Sequence, residues 1–206
     1  MAGGSAARGL PGIMNIDLAS VTPAQAVVLV EGISDVAALE ALAERRGQMP
    51  GSGGIRVVAM DGAANASRFL DLLGPHGIGA RVAGLCDAGA EGYFRLALER
   101  AGLGSSVSRA GMEALGFYVC TADLEDELIR SVGHAAVEQI IQAQGELRSF
   151  RTFQKQPAQR WRSSGEQLHR FMGTRSGRKA QYARLLAGAL DLNRIPRPLD
   201  RVLAHV

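Results

Sequence analysis

The sequence predicts an α/β fold: a parallel sheet of four strands flanked by helices, continued by a helical C-terminal part that is rich in base. Three observations predict it. Short apolar, β-rich runs alternate four times with helix-forming stretches, the pattern of strands joined by crossover helices. No strand signal follows Gly145, where only helical spacing remains. Charge also separates along the chain. Residues 1–145 hold 10 Arg against 16 acids, net −6, and residues 146–184 hold 8 Arg and 2 Lys against Glu146 and Glu166, net +8.

Ala26–Val30 is wholly apolar and fits a buried parallel strand. Gly32 breaks it, and 33–46 has helix formers with Val36, Leu39, Leu42 and Ala43 at helical spacing. Gly47 closes that helix, and 50–54 is a loop. A second strand is expected at 56–60 and a short helix at 65–73, ended by Gly74-Pro75. Arg81–Cys86 is the third strand and 91–101 the third helix. A polar Gly/Ser loop leads to the fourth strand at 116–120. Helices are then expected at 123–131, 135–144, Leu147–Gln154, 161–171 and 178–190, and Pro196 and Pro198 introduce a final tail.

The 206 residues suit one domain with an appendage. We expect a flexible leader over 1–24, with Met14 as an alternative start, an α/β domain over 25–145, and a basic helical extension over 146–206 packed on it. Apolar residues make up 47% of the chain, enough for a sizeable core. No apolar run approaches the roughly 20 residues of a membrane span, and the N-terminus lacks the apolar centre of a signal peptide. The expected location is the cytoplasm, and Cys86 and Cys120 read as buried thiols.

An acidic body beside a basic segment suits a metal-dependent enzyme on a polyanion, with acids for cations and base for phosphates. It equally suits two helical surfaces packing on each other. The positions of the acids discriminate further. Glu31 follows the first strand, Asp87 the third, and Asp123 and Glu125 the fourth by a few residues. In a parallel sheet these points share the carboxyl edge, where ligands bind at the switch in strand order. Asp35, four residues after Glu31, shares its helix face if Glu31 caps that helix. Carboxylates converging there repel unless cations intervene, and hard oxygen ligands favour Mg²⁺ or Mn²⁺. Asp35, Asp123 and Glu125 are also suited to helix N-termini, where acids are favoured with no metal at all.

Val30–Asp35 (Val-Glu-Gly-Ile-Ser-Asp), the strand end Leu85–Asp87 (Leu-Cys-Asp) and the Asp-Leu-Glu-Asp-Glu-Leu-Ile run from Asp123 to Ile129 together resemble the Toprim domain, in particular that of the OLD (overcoming lysogenization defect) nucleases. The resemblance spans roughly residues 26–190. It implies a Toprim-like four-stranded parallel sheet and metal-dependent phosphodiester hydrolysis, endonuclease-like, on nucleic acid, DNA before RNA. It implies two cations, Mg²⁺ or Mn²⁺, on Glu31, Asp35, Asp87, Asp123 and Glu125, with Glu31, Asp87 and Lys179 at the catalytic centre. Lys179 is one of only 2 lysines beside 21 arginines, which independently suggests a need for a compact ammonium. A solvated surface lysine is the alternative.

Two departures qualify the resemblance. The third-strand motif is usually Asp-x-Asp, whereas here Asp87-Ala88-Gly89 lacks the second acid; Glu91 either substitutes or merely opens the third helix. OLD proteins also carry an ATPase domain, and the run from Gly173 to Lys179 has neither the spacing nor the preceding strand of a phosphate-binding loop. ATP hydrolysis by this chain is not expected, and a separate ATPase is a candidate partner; a membrane is not. The competing function is a non-catalytic Toprim module that binds nucleic acid or that ATPase. His76, His134, His169 and His205 are scattered without ligand spacing, and Ser34 has no His–Asp partner order. Tyr93, Tyr118 and Tyr182 read as packing residues before nucleophiles. Trp161 and Phe171 read as anchors of the C-terminal helices before base-stacking platforms.

Overall fold

A computed structural model describes residues 26–48 and 54–206; the expected leader and residues 50–53 of the expected loop lie outside the described residues. Four strands, β1 Ala26–Val30, β2 Ile55–Ala59, β3 Arg81–Cys86 and β4 Phe117–Val119, form one parallel sheet in the order β2-β1-β3-β4. The register pairs Val30 with Ala59, Leu29 with Gly84 and Cys86 with Val119. The predicted fold class is therefore the one observed.

β1 is buried on both faces because it lies inside the sheet with a helical layer on each side. Its side chains alternate between two cores: Val28 and Val30 enter one, Val27 and Leu29 the other. The second core is closed by α2 Ala66–Leu73, α3 Glu91–Arg100 and α4 Arg109–Ala114. The first is closed by α1 Ile33–Arg45, α5 Leu124–Val132, α6 His134–Ala143, α7 Leu147–Gln154, α8 Ser164–Met172, α9 Arg178–Ala189 and α10 Arg197–His205. In β3, Gly84 lets β4 approach, since a Cβ there would lie 2.5 Å from the Phe117 ring.

The first core runs on through residue 145. α9 turns Ala183, Leu186 and Ala187 toward the small and aliphatic face of α1, Ala38, Leu39, Ala41 and Leu42. Arg45 donates to the Ala187 carbonyl at 2.9 Å, and Gln48 donates to that of Leu203 at 3.1 Å. Arg184 pairs with Glu44 at 2.8 Å and Arg151 with Glu138 at 2.6 Å, so part of the basic segment neutralises the acidic body.

Two elements differ from the sequence reading. Residues 109–114, expected as loop, form α4, because Ser108 caps it by accepting from the Gly111 N–H at 3.1 Å and Met112 is fully buried. The expected tail after Pro196 is the helix α10. Pro198 falls in the first turn, where its fixed φ and missing N–H cost nothing. Leu199, Val202 and Leu203 are all 0% exposed and pack into the first core, and Arg46 pairs with Asp200. Leu199→Ala or Leu203→Ala should therefore cost about 2–5 kcal/mol, as for other buried leucines. Urea unfolding should show a lower midpoint with unchanged slope. A negligible loss would mean that residues 196–206 contribute as a tail does.

Candidate metal centre

The strand order reverses between β1 and β3, and at the carboxyl ends of such a pair parallel sheets bind their ligands. Glu31 leaves β1 at that point and Asp87 leaves β3. The two are joined: Glu31 Oε1 accepts the Asp87 N–H at 2.9 Å. Gly32, not Glu31, is the N-cap of α1, in extended backbone. Asp35 in the first turn reaches back to accept the Gly32 N–H at 2.8 Å. Asp87 Oδ1 accepts the Leu124 N–H at 3.2 Å, which ties the end of β3 to the start of α5. Asp123 caps α5, its Oδ1 accepting from the Asp126 N–H at 2.8 Å. The helix-start readings of Asp35 and Asp123 thus describe real contacts, each made with one carboxylate oxygen.

Glu125 behaves differently. It is 2% exposed, and its Oε1 has no hydrogen-bond partner. A buried carboxylate oxygen without a donor costs free energy unless a cation or proton meets it. Its Oε2 lies 3.1 Å from the Lys179 Nζ, delivered by the first turn of α9. Asp123, Glu125 and His169 each present one ligating atom within 4.8 Å of the others. Carboxylate oxygens suit Mg²⁺ or Mn²⁺, and the His169 nitrogen that meets Asp123 is occupied by that hydrogen bond. The orphaned oxygen and this donor set fit a divalent cation.

Titration behaviour reports the crowding. Burial first, then the charges of Glu31, Asp35, Asp123 and Glu125, push the Asp87 carboxyl up to about 7. Burial likewise raises Asp35 to about 6, against the lowering bond from Gly32, with help from Glu125. Burial also works against ionised Asp123, yet the hydrogen bonds from His169 and the Asp126 N–H hold it below the usual carboxylate value. Lys179 is raised: burial opposes its charge, and the carboxylates of Glu125, Asp35 and Asp87 overcome that. Burial pushes the Cys86 and Cys120 thiols far up, so neither is a reactive thiolate.

His169, read from the sequence as isolated, belongs to the site. Its Nε2 lies 2.7 Å from Asp123 Oδ2. Forty-six residues separate the pair, so no local spacing marked it. Glu91 does not fill the place of the missing acid, because Arg109 holds its carboxylate. Gly89 is exposed, and a Cβ there would meet nothing within 4 Å. Arg178, beside Lys179, is 5% exposed and faces inward, bonded to Glu146 at 2.7 Å with its guanidinium 4.3 Å from the Phe171 ring. It is therefore not a phosphate-binding arginine. Tyr182 is buried and donates to Glu146 at 2.8 Å. Phe171 is core, but Trp161 is 83% exposed and anchors nothing. The stretch from Gly173 to Gly177 joins α8 to α9, whose first turn holds Lys179, so a helix and not a strand precedes it.

The raised acids set a pH dependence. The unfolded chain releases these protons near the ordinary value of 3.8, whereas the folded metal-free protein keeps them to about 6 and about 7. The folded state binds more protons between those values, so stability falls as pH rises through them. His169, raised by its bond to Asp123, acts in the same sense: its contribution is complete below 6.5 and fades as pH rises through the folded value. In chelator, the melting temperature should fall from about pH 5.5 to about pH 8. Asp87→Asn should flatten the profile and stabilise the metal-free protein at the alkaline end by about 1–2 kcal/mol, less than the full shift implies because water reaches the site. A wild-type profile that rises across this range would contradict the assignment.

Residues 24–88 match the family model of the overcoming lysogenization defect protein-like TOPRIM domain. No curated protein sequence matches the chain. Among solved structures, the C-terminal region of the Xanthomonas campestris pv. campestris OLD protein superposes with a TM-score of 0.67 at 21% identity, over 88% of this chain and 91% of that one. The C-terminal region of the Burkholderia pseudomallei OLD protein superposes with a TM-score of 0.64 at 19% identity, over 87% of this chain and 95% of that one. The resemblance read from the strand-end acids is borne out: residues 24–88 match the OLD-like Toprim domain, and most of the chain has the fold of the OLD C-terminal region.

Proposed function

We propose that the protein is a metal-dependent phosphodiester hydrolase, endonuclease-like, acting on nucleic acid, with DNA ahead of RNA. The observation that supports this reading is the buried, unpartnered Glu125 oxygen, grouped with Asp123 and His169 beside the Lys179 ammonium, with Glu31, Asp35 and Asp87 close enough to interact by charge. Glu31, Asp35, Asp87, Asp123 and Glu125 would hold two cations, Mg²⁺ or Mn²⁺. Bound there, the cations would polarise a phosphodiester, lower the pKa of an attacking water and neutralise the leaving oxygen.

The chain's own residues supply the rest. Glu31 and Asp87 are fixed to each other through the Asp87 N–H at the carboxyl ends of β1 and β3. There they can orient a water and accept its proton. Lys179 is half exposed and offers three donors to a phosphate oxygen once its carboxylate partner turns to a cation. His169 fixes the rotamer of Asp123 and keeps it ionised. Arg175, 68% exposed and in a loose 3.6 Å contact with Glu146, would bind backbone phosphates, whereas buried Arg178 would not. No ATP chemistry is assigned to this chain, and a separate ATPase is a candidate partner. The missing acid at Gly89, with Glu91 held by Arg109, favours one second reading: a nucleic-acid-binding module whose metal site is too weak for turnover.

Plasmid nicking in Mn²⁺ separates the two. Wild type should nick; Glu31→Gln should lose at least about a hundredfold in rate while melting normally. Lys179→Arg should be strongly impaired although charge is conserved, because a planar guanidinium does not replace a compact ammonium. Lys155→Arg, at the other lysine, should be silent. Gly89→Asp has room for its side chain and should raise activity. Millimolar Mn²⁺ should also raise the melting temperature of wild type and not of Asp87→Asn. Full activity in Glu31→Gln would overturn the hydrolase reading, and inactivity of every protein with intact binding would select the module.

A further inference from the structure

Trp161 is the chain's only tryptophan, and at 83% exposed it keeps almost none of the burial that aromatic side chains normally gain. It is not on a loose loop. The connection between α7 and α8 is held by Gln159, whose carbonyl accepts from buried Gln167 at 2.9 Å, and by the Arg162 N–H bonded to the Gln159 carbonyl at 2.9 Å. Ser163 and Glu166 then close a capping box, which occupies the Glu166 carboxylate. The indole is thus presented to solvent by a fixed turn. The Arg160 guanidinium lies over its ring, 5.0 Å from the centroid.

From this turn a path of cations leads to the acids. Arg162 and Arg170 line a cavity of about 290 Å³ that also reaches Asp123 and His169. Arg170 and His169 line a second cavity, of about 390 Å³, with Lys179 and Thr174. Arg170 has no ion-pair partner among the described residues, and Arg162, whose Nε donates to the Ala158 carbonyl at 3.1 Å, has as its ion pair a 3.4 Å contact with the already occupied Glu166. An aromatic platform, exposed arginines and then Asp123, His169 and Lys179 is the order in which a strand would meet them.

We infer that a single nucleic-acid strand lies along α8, with an unpaired base stacked on Trp161 and its phosphates on Arg162 and Arg170, so that its backbone is led past His169 to the carboxylates. This rests on the proposed action on nucleic acid and narrows it. In a duplex the π-faces are already stacked on neighbouring base pairs, so a lone indole takes only an unpaired or terminal base. The substrate is then a single strand, a flap or a frayed end rather than a continuous duplex.

Because Trp161 is unique, its fluorescence reports this contact directly. Metal-free protein in chelator is titrated with a labelled oligothymidylate and with a labelled, relaxed circular duplex, which has neither free ends nor unpaired loops. Binding is followed by label anisotropy and stacking by tryptophan emission. The single strand should bind and quench, Trp161→Ala should weaken it about tenfold, and Trp161→Phe should retain most of the affinity. The duplex should leave the emission unchanged. Strand binding without quenching, or unaltered by Trp161→Ala, overturns the stacking site and leaves the proposed hydrolase standing. No anisotropy change with either nucleic acid overturns both. Emission that changes with protein concentration alone means that a second copy covers Trp161, which also overturns the inference.

Discussion

The reversal of strand order between β1 and β3 is the constraint on which the rest depends. β2 lies on one side of β1 and β3 on the other, so the chain turns apart where both β1 and β3 end. Because β1 is buried on both faces, it must divide its side chains between two cores. That division fixes its register, since a one-residue slip would exchange the cores. A fixed register in turn fixes the height at which Glu31 emerges relative to Asp87. The bond between the Glu31 carboxylate and the Asp87 N–H is the local expression of that constraint.

Gathering five carboxylates at such a point is costly, and the fold offsets the cost locally. Four of them accept a backbone N–H: Glu31 from Asp87, Asp35 from Gly32, Asp87 from Leu124 and Asp123 from Asp126. These bonds orient the acids through one oxygen each; the second oxygen of Asp123 meets His169. The cost that remains is visible in the raised Asp35 and Asp87. Glu125 has no such backbone donor and depends on Lys179 instead. Divalent cations, bound as proposed, would turn the same repulsion into attraction.

The sheet and most helices were legible because their signals are local. Arg81–Cys86 and Leu147–Gln154 have the bounds that their apolar spacing predicts, and the strand-end acids could be counted from the same pattern. What was not legible is of three physical kinds. α10 was hidden because prolines read as a stop when they lie in a first turn. α4 was hidden because Gly104 and Gly111 flank and interrupt a helix whose one core anchor is Met112. His169 and Trp161 were misread because their places depend on tertiary geometry. The same α8 stretch turns Phe171 into the core, His169 toward Asp123, and leaves Trp161 before it in solvent. Composition also misled at Arg178, where a residue counted with the phosphate-binding surface is a buried strut.

Arg178 and Tyr182 show how that strut serves the site. One helical turn apart on α9, they converge on Glu146, at 2.7 and 2.8 Å. Gly177, at φ 76°, bends the chain into this helix in a conformation that a side chain would resist. The start of α9 is thereby pinned between Glu146 and the Phe171 ring, while Ala183, Leu186 and Ala187 fasten the rest against α1. Lys179 follows Arg178 and so points away from this anchor, toward Glu125. A flexible lysine gains a defined place from the rigidity of its neighbours. α1, which carries Asp35 and meets α9 through Ala38, Leu39, Ala41 and Leu42, is held by the same packing. Loosening the Glu146 anchor would therefore displace the ammonium relative to the carboxylates without touching either, which makes the α1–α9 contact part of the site's geometry as well as of its core.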